Sequence, residues 1–224
     1  MTHHASPRFR VAEALAGLRH PGPPPPGLLG VAAVSLVSSS VVLSVIIWLG
    51  HAWHGDSHHF LREWQPGTYL SALILVASGV LCWTISRSLA GARFSRFWRT
   101  TALLFVWLAL DDLFLIHETV DWWIHRLLGA NPRHPITTHL DDLIVAAYAG
   151  GLAVWLAYRY RADLAPLRWM VLILSAGAAL FAAMVFFDLF NWNKTGEETL
   201  KVLAGTVIFI GFYAARLQLK PRTR

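Results

Sequence analysis

The chain of 224 residues is poor in charge, with only 14% Asp, Glu, Lys and Arg, where a soluble domain carries about 25%. It holds one cysteine, Cys82, which excludes an internal disulfide and every zinc or redox motif built on paired thiols. Acidic residues are scarcer still, 13 against 19 Lys and Arg. No H-E-x-x-H, E-x-x-H or C-x-x-C spacing occurs, so no metalloprotease, di-iron or thioredoxin-like signature is present. Disorder is excluded by the 55% apolar content.

What the chain has in abundance is long apolar runs, 11 Trp and a mean hydropathy of +0.48. A membrane helix needs about 20 mostly apolar residues. Six runs meet that length: Gly27–Gly50, Thr68–Ser86, Thr101–Val120, His139–Tyr160, Leu167–Phe190 and Glu198–Leu217. In hydrocarbon the backbone must satisfy its own hydrogen bonds, so each run is read as a helix. The fold class is therefore all-α, a six-helix polytopic membrane bundle. Residues 1–26 form an N-terminal arm ending in the spacer Pro21-Gly-Pro-Pro-Pro-Pro-Gly27, residues 27–217 the membrane domain, and residues 218–224 a basic tail. The arm lacks the short apolar region and cleavage site of a signal peptide. Val11, Leu15 and Leu18 share a helical face beside Arg8, Arg10 and Arg19, a pattern for lying on a membrane surface. On span five, Ser175, Ala179 and Ala183 have the small-xxx-small spacing of a packing face.

Positive charge sets the orientation. The arm, the loops after spans two and four, and the tail hold 14 of the 19 Lys and Arg. Both termini are thus expected on the cytoplasmic side of a bacterial-type inner membrane. Trp48, Trp53, Trp64, Trp122, Trp123 and Trp192 then fall at outer span ends, and Trp83, Trp98, Trp155 and Trp169 at inner ends, as interfacial belts require. The net charge of +6 is a topology signal and calls for no nucleic-acid partner. The expected partner is the bilayer, with a second membrane protein or a second copy of the chain as further options.

Eleven of the 13 acids and eight of the 11 His map to the outer loops or outer half of the spans. Topology rules do not explain acids. Span three reads Asp111-Asp112-Leu-Phe-Leu-Ile-His117-Glu118-Thr-Val-Asp121. At about 100° per residue Asp111, His117, Glu118 and Asp121 share one face of a continuous helix, with Asp112 pointing elsewhere. Asp111 and Asp112 lie about half-way along that run, where an ionised carboxylate costs a few kcal/mol and needs a partner or a proton. Asp121 is read as a solvated loop acid.

On span four, His139 and Asp142 share a face, while Thr138 and Asp141 match a capping box. Thr195-Gly-Glu-Glu198 reads as a second capping box, and Lys201 is spaced for an intrahelical ion pair with Glu197 and Glu198. Asp188 closes span five. The first outer loop gathers His51, His54, Asp56, His58 and His59, a set able to collect a borderline metal.

Spans three to six thus bring carboxylates to one leaflet. The candidate site is a divalent cation centre of Asp111, His117, Glu118, His139, Asp142, Asp188 and Glu197, supported by Asp112, Glu198 and Lys201. Zinc, iron and manganese accept mixed oxygen and imidazole ligands, and calcium accepts oxygens alone. A metal there would activate water against a lipid-like substrate. The pattern resembles, in logic only, the intramembrane zinc hydrolases of the alkaline ceramidase and adiponectin-receptor type. Those carry H-x-x-x-H within seven spans, whereas the nearest such spacing here, His54 with His58, lies in a loop. Two further readings use the same residues: a proton-coupled or cation transporter, and a non-catalytic subunit or assembly factor of a membrane complex.

Overall fold

The computed structural model describes residues 22–61, 64–128, 140–190 and 193–219. Among these residues every regular element is helical. In chain order they are α1 (Leu28–His54), a 3-10 turn (His59–Leu61), α2 (Pro66–Ser88), α3 (Arg93–Phe114) and α4 (Ile116–Leu128). There follow α5 (Leu140–Val145), a π-helical turn (Ala146–Gly150), α6 (Gly151–Arg159), α7 (Arg161–Leu164), α8 (Arg168–Leu189) and α9 (Lys194–Leu219). Four segments are long and apolar enough to cross a bilayer: Leu28–His54, His59–Ser88, Arg168–Asp188 and Lys194–Leu219. The pair Arg93–Phe114 and Ile116–Leu127 makes a fifth if counted as one broken span. The apolar stretch Leu143–Arg159 within the predicted fourth span is shorter than these.

Helix α9 is the hub. It packs along α8 and also meets α2 and α1, while α2 pairs with α3. Glycine allows the closest approaches. A Cβ at Gly177 would stand 2.7 Å from Ile208 Cγ1, and one at Gly211 would stand 2.9 Å from Leu174 Cδ2. The face α8 turns inward therefore runs through Met170, Leu174 and Gly177. The expected small-residue face is not the packed one. Ser175 and Ala179 are exposed, and the Ser175 hydroxyl donates to Val171 O of its own helix at 2.9 Å. Leu and Met at the contact supply more dispersion than Ser and Ala would, and the glycines supply the closeness.

The main core sits toward the Arg-rich end. Trp98, Cys82, Phe105, Phe212 and Met170 are buried there, with the Phe105 and Phe212 rings edge-to-face at 5.1 Å. Ser86 and Ser95 tie α2 to α3 at this end, their hydroxyls 3.1 Å apart. By contrast, α1 exposes Leu29, Val34, Val37, Val41, Val45 and Trp48. In water that surface would be costly, and in a bilayer it faces a solvent as apolar as itself.

The third span departs from the continuous helix expected over Thr101–Val120. It breaks at Leu115, whose φ of 51° lies in the left-handed region, and the two halves differ in direction by 66°. A non-glycine residue there carries about 1–2 kcal/mol of strain. Asp111 closes one helix and opens the next. Its carbonyl accepts the Leu115 N–H that ends α3, and its carboxylate Oδ1 accepts the His117 N–H at 2.9 Å. The first N–H groups of α4 have no partner within their own helix, so a carboxylate there acts as a cap.

Asp111 and Asp112 lie near the end of α3. Helix α3 starts at Arg93, eight residues before the run read from sequence. The Ser86–Ser95 contact and the Ser71–Asp112 hydrogen bond mark two levels of the α2–α3 pair. At 1.5 Å per residue these levels are about 24 Å apart.

Candidate functional site

Three carboxylates are buried among the described residues: Asp111 at 3% exposure, Asp112 at 7% and Asp188 at 5%. Each belongs to a separate polar group with its own donors.

Asp111 faces the α4–α5 side. Besides the His117 N–H, its Oδ2 accepts the Tyr148 hydroxyl at 2.6 Å and lies 3.1 Å from His117 Nδ1. Tyr148 sits in the π-helical turn, which widens the helix locally and carries this side chain to α3. The carboxylate thus fixes the imidazole with Nδ1 toward itself. Glu118, the next residue of α4, acts electrostatically on His117, as does Lys201.

Asp112 faces the opposite side, toward α2 and α9. It accepts the Ser71 hydroxyl, and its Oδ1 lies 2.5 Å from Lys201 Nζ. Lys201 therefore reaches across helices, a contact that its spacing from Glu197 and Glu198 does not announce. Its side chain is 32% exposed and that of Asp112 only 9%, so the lysine bridges from the surface of the bundle to a buried acid. The adjacent pair Asp111-Asp112 is split across α3, which keeps two carboxylates from sharing one desolvated space.

Asp188 is paired with Lys194, which also lies 3.0 Å from Glu197 Oε2. Lys194 thereby links the end of α8 to the first turn of α9. The capping expected from Thr195 belongs to Asn193 instead. Its Oδ1 accepts the Gly196 N–H at 3.0 Å, so α9 begins earlier than the Thr195-Gly-Glu-Glu198 pattern implies. Glu198 stands in the next turn position of α9. Asp121 is also no loop acid: it lies in α4, with Oδ1 2.9 Å from His125 Nδ1.

His139 lies outside the described residues, and Asp142 is placed only as a position in α5. The other candidate ligands fall into the Asp111–His117 and Asp188–Glu197 groups, with Glu118 beside the first. Among the described residues no group of three or more His, Cys, Asp or Glu is arranged to hold a metal ion. The physical reason is visible in the partners. Each buried carboxylate is already engaged by Tyr148 and a backbone N–H, by Ser71 and Lys201, or by Lys194. The segment between α1 and α2 instead stacks His54 on His59 with ring centroids 3.7 Å apart, and Asp56 accepts the His58 N–H at 2.9 Å.

Tyr148, Ser71, His125 and Lys194 are the members of these groups that charge placement in the sequence did not single out. A partial signal for Tyr148 is the Gly150-Gly151 pair beside it, since glycines inside a helical pattern mark local irregularity. Comparison with curated proteins and with solved structures finds no match. Residues 28–217, from the first residue of α1 into the last turns of α9, match the family described as domain of unknown function (DUF8692), and the chain belongs to that family.

Proposed function

We propose that the protein is a multi-pass inner-membrane protein of the proton-coupled class, working through the polar node at the break in its third span. In this reading the chain crosses six times with both termini cytoplasmic, the α5–α6 segment completing the fourth span. The node then opens to the outer side. The observation that carries the reading is the broken helix with Asp111 at the break, hydrogen-bonded to His117 and Tyr148. Discontinuous helices with ionisable groups at the break are where membrane carriers place their ion sites. Carboxylate, imidazole and phenol are each able to give or take one proton, and intramembrane ionisable residues mark such relays. Lys201 holds a fixed positive charge against Asp112 on the other side of α3, so a change of one charge at Asp111 is not neutralised by its neighbour.

The test is proton movement in sealed proteoliposomes under an imposed pH gradient, read by an internal dye. Wild type should dissipate the gradient faster than empty vesicles, and Asp111→Asn should fall to the vesicle background. Equal rates for the two proteins would remove the proton-coupled reading.

One observation favours a second reading. A histidine turned by a carboxylate is the usual orientation of a metal-ligating imidazole, and His117 Nδ1 faces Asp111 in that way. A zinc, iron or manganese ion held there with Glu118, His139 or Asp142 would make the protein a metal-dependent hydrolase of lipid-like substrates. Metal analysis of purified wild type and His117→Ala separates this reading from the first. Metal retained by wild type and lost from the variant supports it.

A further inference from the structure

Among the described residues helix α4 is the most strongly amphipathic long helix, and it is inside out. At about 100° per residue Val120, Trp123 and Leu127 share a face about 60° wide, while Glu118, Asp121 and His125 cluster on the far side. A surface helix of a soluble protein hides the first set and shows the second. Here Leu127 is 77% exposed, Trp123 51% and Val120 39%. The His125 and Asp121 side chains are only 10% and 23% exposed. The polar side turns toward the protein and the apolar side away from it.

We infer that the occupant of this apolar face is phospholipid of the outer leaflet, with α4 lying slanted within that leaflet. The inference rests on the membrane reading of the long helices and their orientation. Three observations select lipid. The exposed apolar surface of α1 shows that this bundle presents aliphatic side chains outward over a whole span, and α4 does the same at one end. The 66° bend lays most of the helix across the direction of α3; thirteen residues, about 20 Å long, then rise only about 8 Å along it. Finally, the Arg126 guanidinium lies 5.2 Å from the Trp122 ring centroid and 5.9 Å from that of Trp123. Indole rings with an arginine beside them match the headgroup level, where the rings anchor and the cation meets lipid phosphate. The consequence for the node is direct. His117, on the first turn of α4, is bonded to Asp111, so the depth of α4 in lipid and the geometry at Asp111 are mechanically joined.

The experiment is spin labelling of full-length protein in phosphatidylcholine–phosphatidylglycerol vesicles, one introduced cysteine at a time. Labels go on Leu127→Cys and Val120→Cys, with Val41→Cys on α1 as the lipid reference and Ala90→Cys in the α2–α3 loop as the aqueous one. Buried Cys82 stays in place, and its lack of reaction in each variant reports an intact fold. The expected result is oxygen contact exceeding contact with a soluble nickel chelate at 127 and 120, as at 41 and opposite to 90, at a shallower depth than 41. Leu127 resembling Ala90 overturns the inference and leaves the membrane reading intact. Spin–spin broadening at 127 with neither reagent admitted also overturns it, the occupant then being a second copy. An aqueous signature at Val41 removes the membrane reading itself.

Discussion

Replacing Lys201 by Met isolates the cross-helix ion pair on the α2–α9 side of the node. The variant keeps the length of the side chain and removes its charge, leaving Asp112 with the Ser71 hydroxyl. Breaking a buried pair by removing one partner costs about 3–5 kcal/mol. The lysine is 32% exposed and part of its charge is already screened, so the expected loss falls to about 2–3 kcal/mol. Asp112→Asn should cost less, about 1–2 kcal/mol, because the amide keeps a hydrogen bond and Lys201 can turn outward to a polar environment. The double variant should be more stable than the sum of the two losses implies, by about 1–3 kcal/mol of coupling. Cys82 supplies the assay. It is the only cysteine and is fully buried in the core, so its modification by a maleimide in rising denaturant follows opening of the bundle. Losses that add to within about 0.5 kcal/mol would refute the direct pair. A larger loss from Asp112→Asn than from Lys201→Met would refute the assignment of which partner is trapped.

Other perturbations follow from the same contacts. Tyr148→Phe deletes the hydroxyl that donates to Asp111 and should lower stability by about 1–3 kcal/mol in the same thiol assay, while Tyr158→Phe, an exposed control, should leave it unchanged. Gly177→Leu forces side-chain atoms onto Ile208 at the α8–α9 contact and should cost at least about 1–3 kcal/mol, whereas Ala179→Leu on the exposed face of the same helix should be neutral. Asn193→Ala removes the cap on Gly196 and should cost about 1 kcal/mol, with Thr195→Ala costing less, measured as paired denaturation midpoints.

The long apolar helices were legible because their signal is additive over twenty residues and depends little on detail. Helices α1, α2, α8 and α9 start and stop within a few residues of the runs read from sequence. The break in the third span was not legible. Asp111-Asp112-Leu-Phe-Leu-Ile-His117 contains neither Pro nor Gly, the residues that usually mark a break. What ends the helix is an aspartate bonding to a backbone N–H six residues on, a competition Asp side chains offer wherever tertiary packing permits. That one event changed the phase of the helical wheel, so residues assigned to one face now belong to two helices. Asp111 and Asp112 do have the partners that their apolar setting demands, but single-helix spacing could not supply them. Lys201 lies three and four residues from glutamates and yet reaches Asp112, 89 positions away. For Tyr148 the neighbouring glycines mark local irregularity, but nothing in the sequence signals its hydrogen bond to a carboxylate on another helix.

In the proton-coupled reading Asp111, at the break, exchanges a proton while Asp112 stays committed to Lys201. Infrared difference spectra of reconstituted protein, recorded as pH is lowered and compared between variants, test it most directly. A protonated-carboxyl band is expected in wild type, to disappear in Asp111→Asn and persist in Asp112→Asn. A band that survives loss of Asp111 and disappears with Asp112 would contradict it.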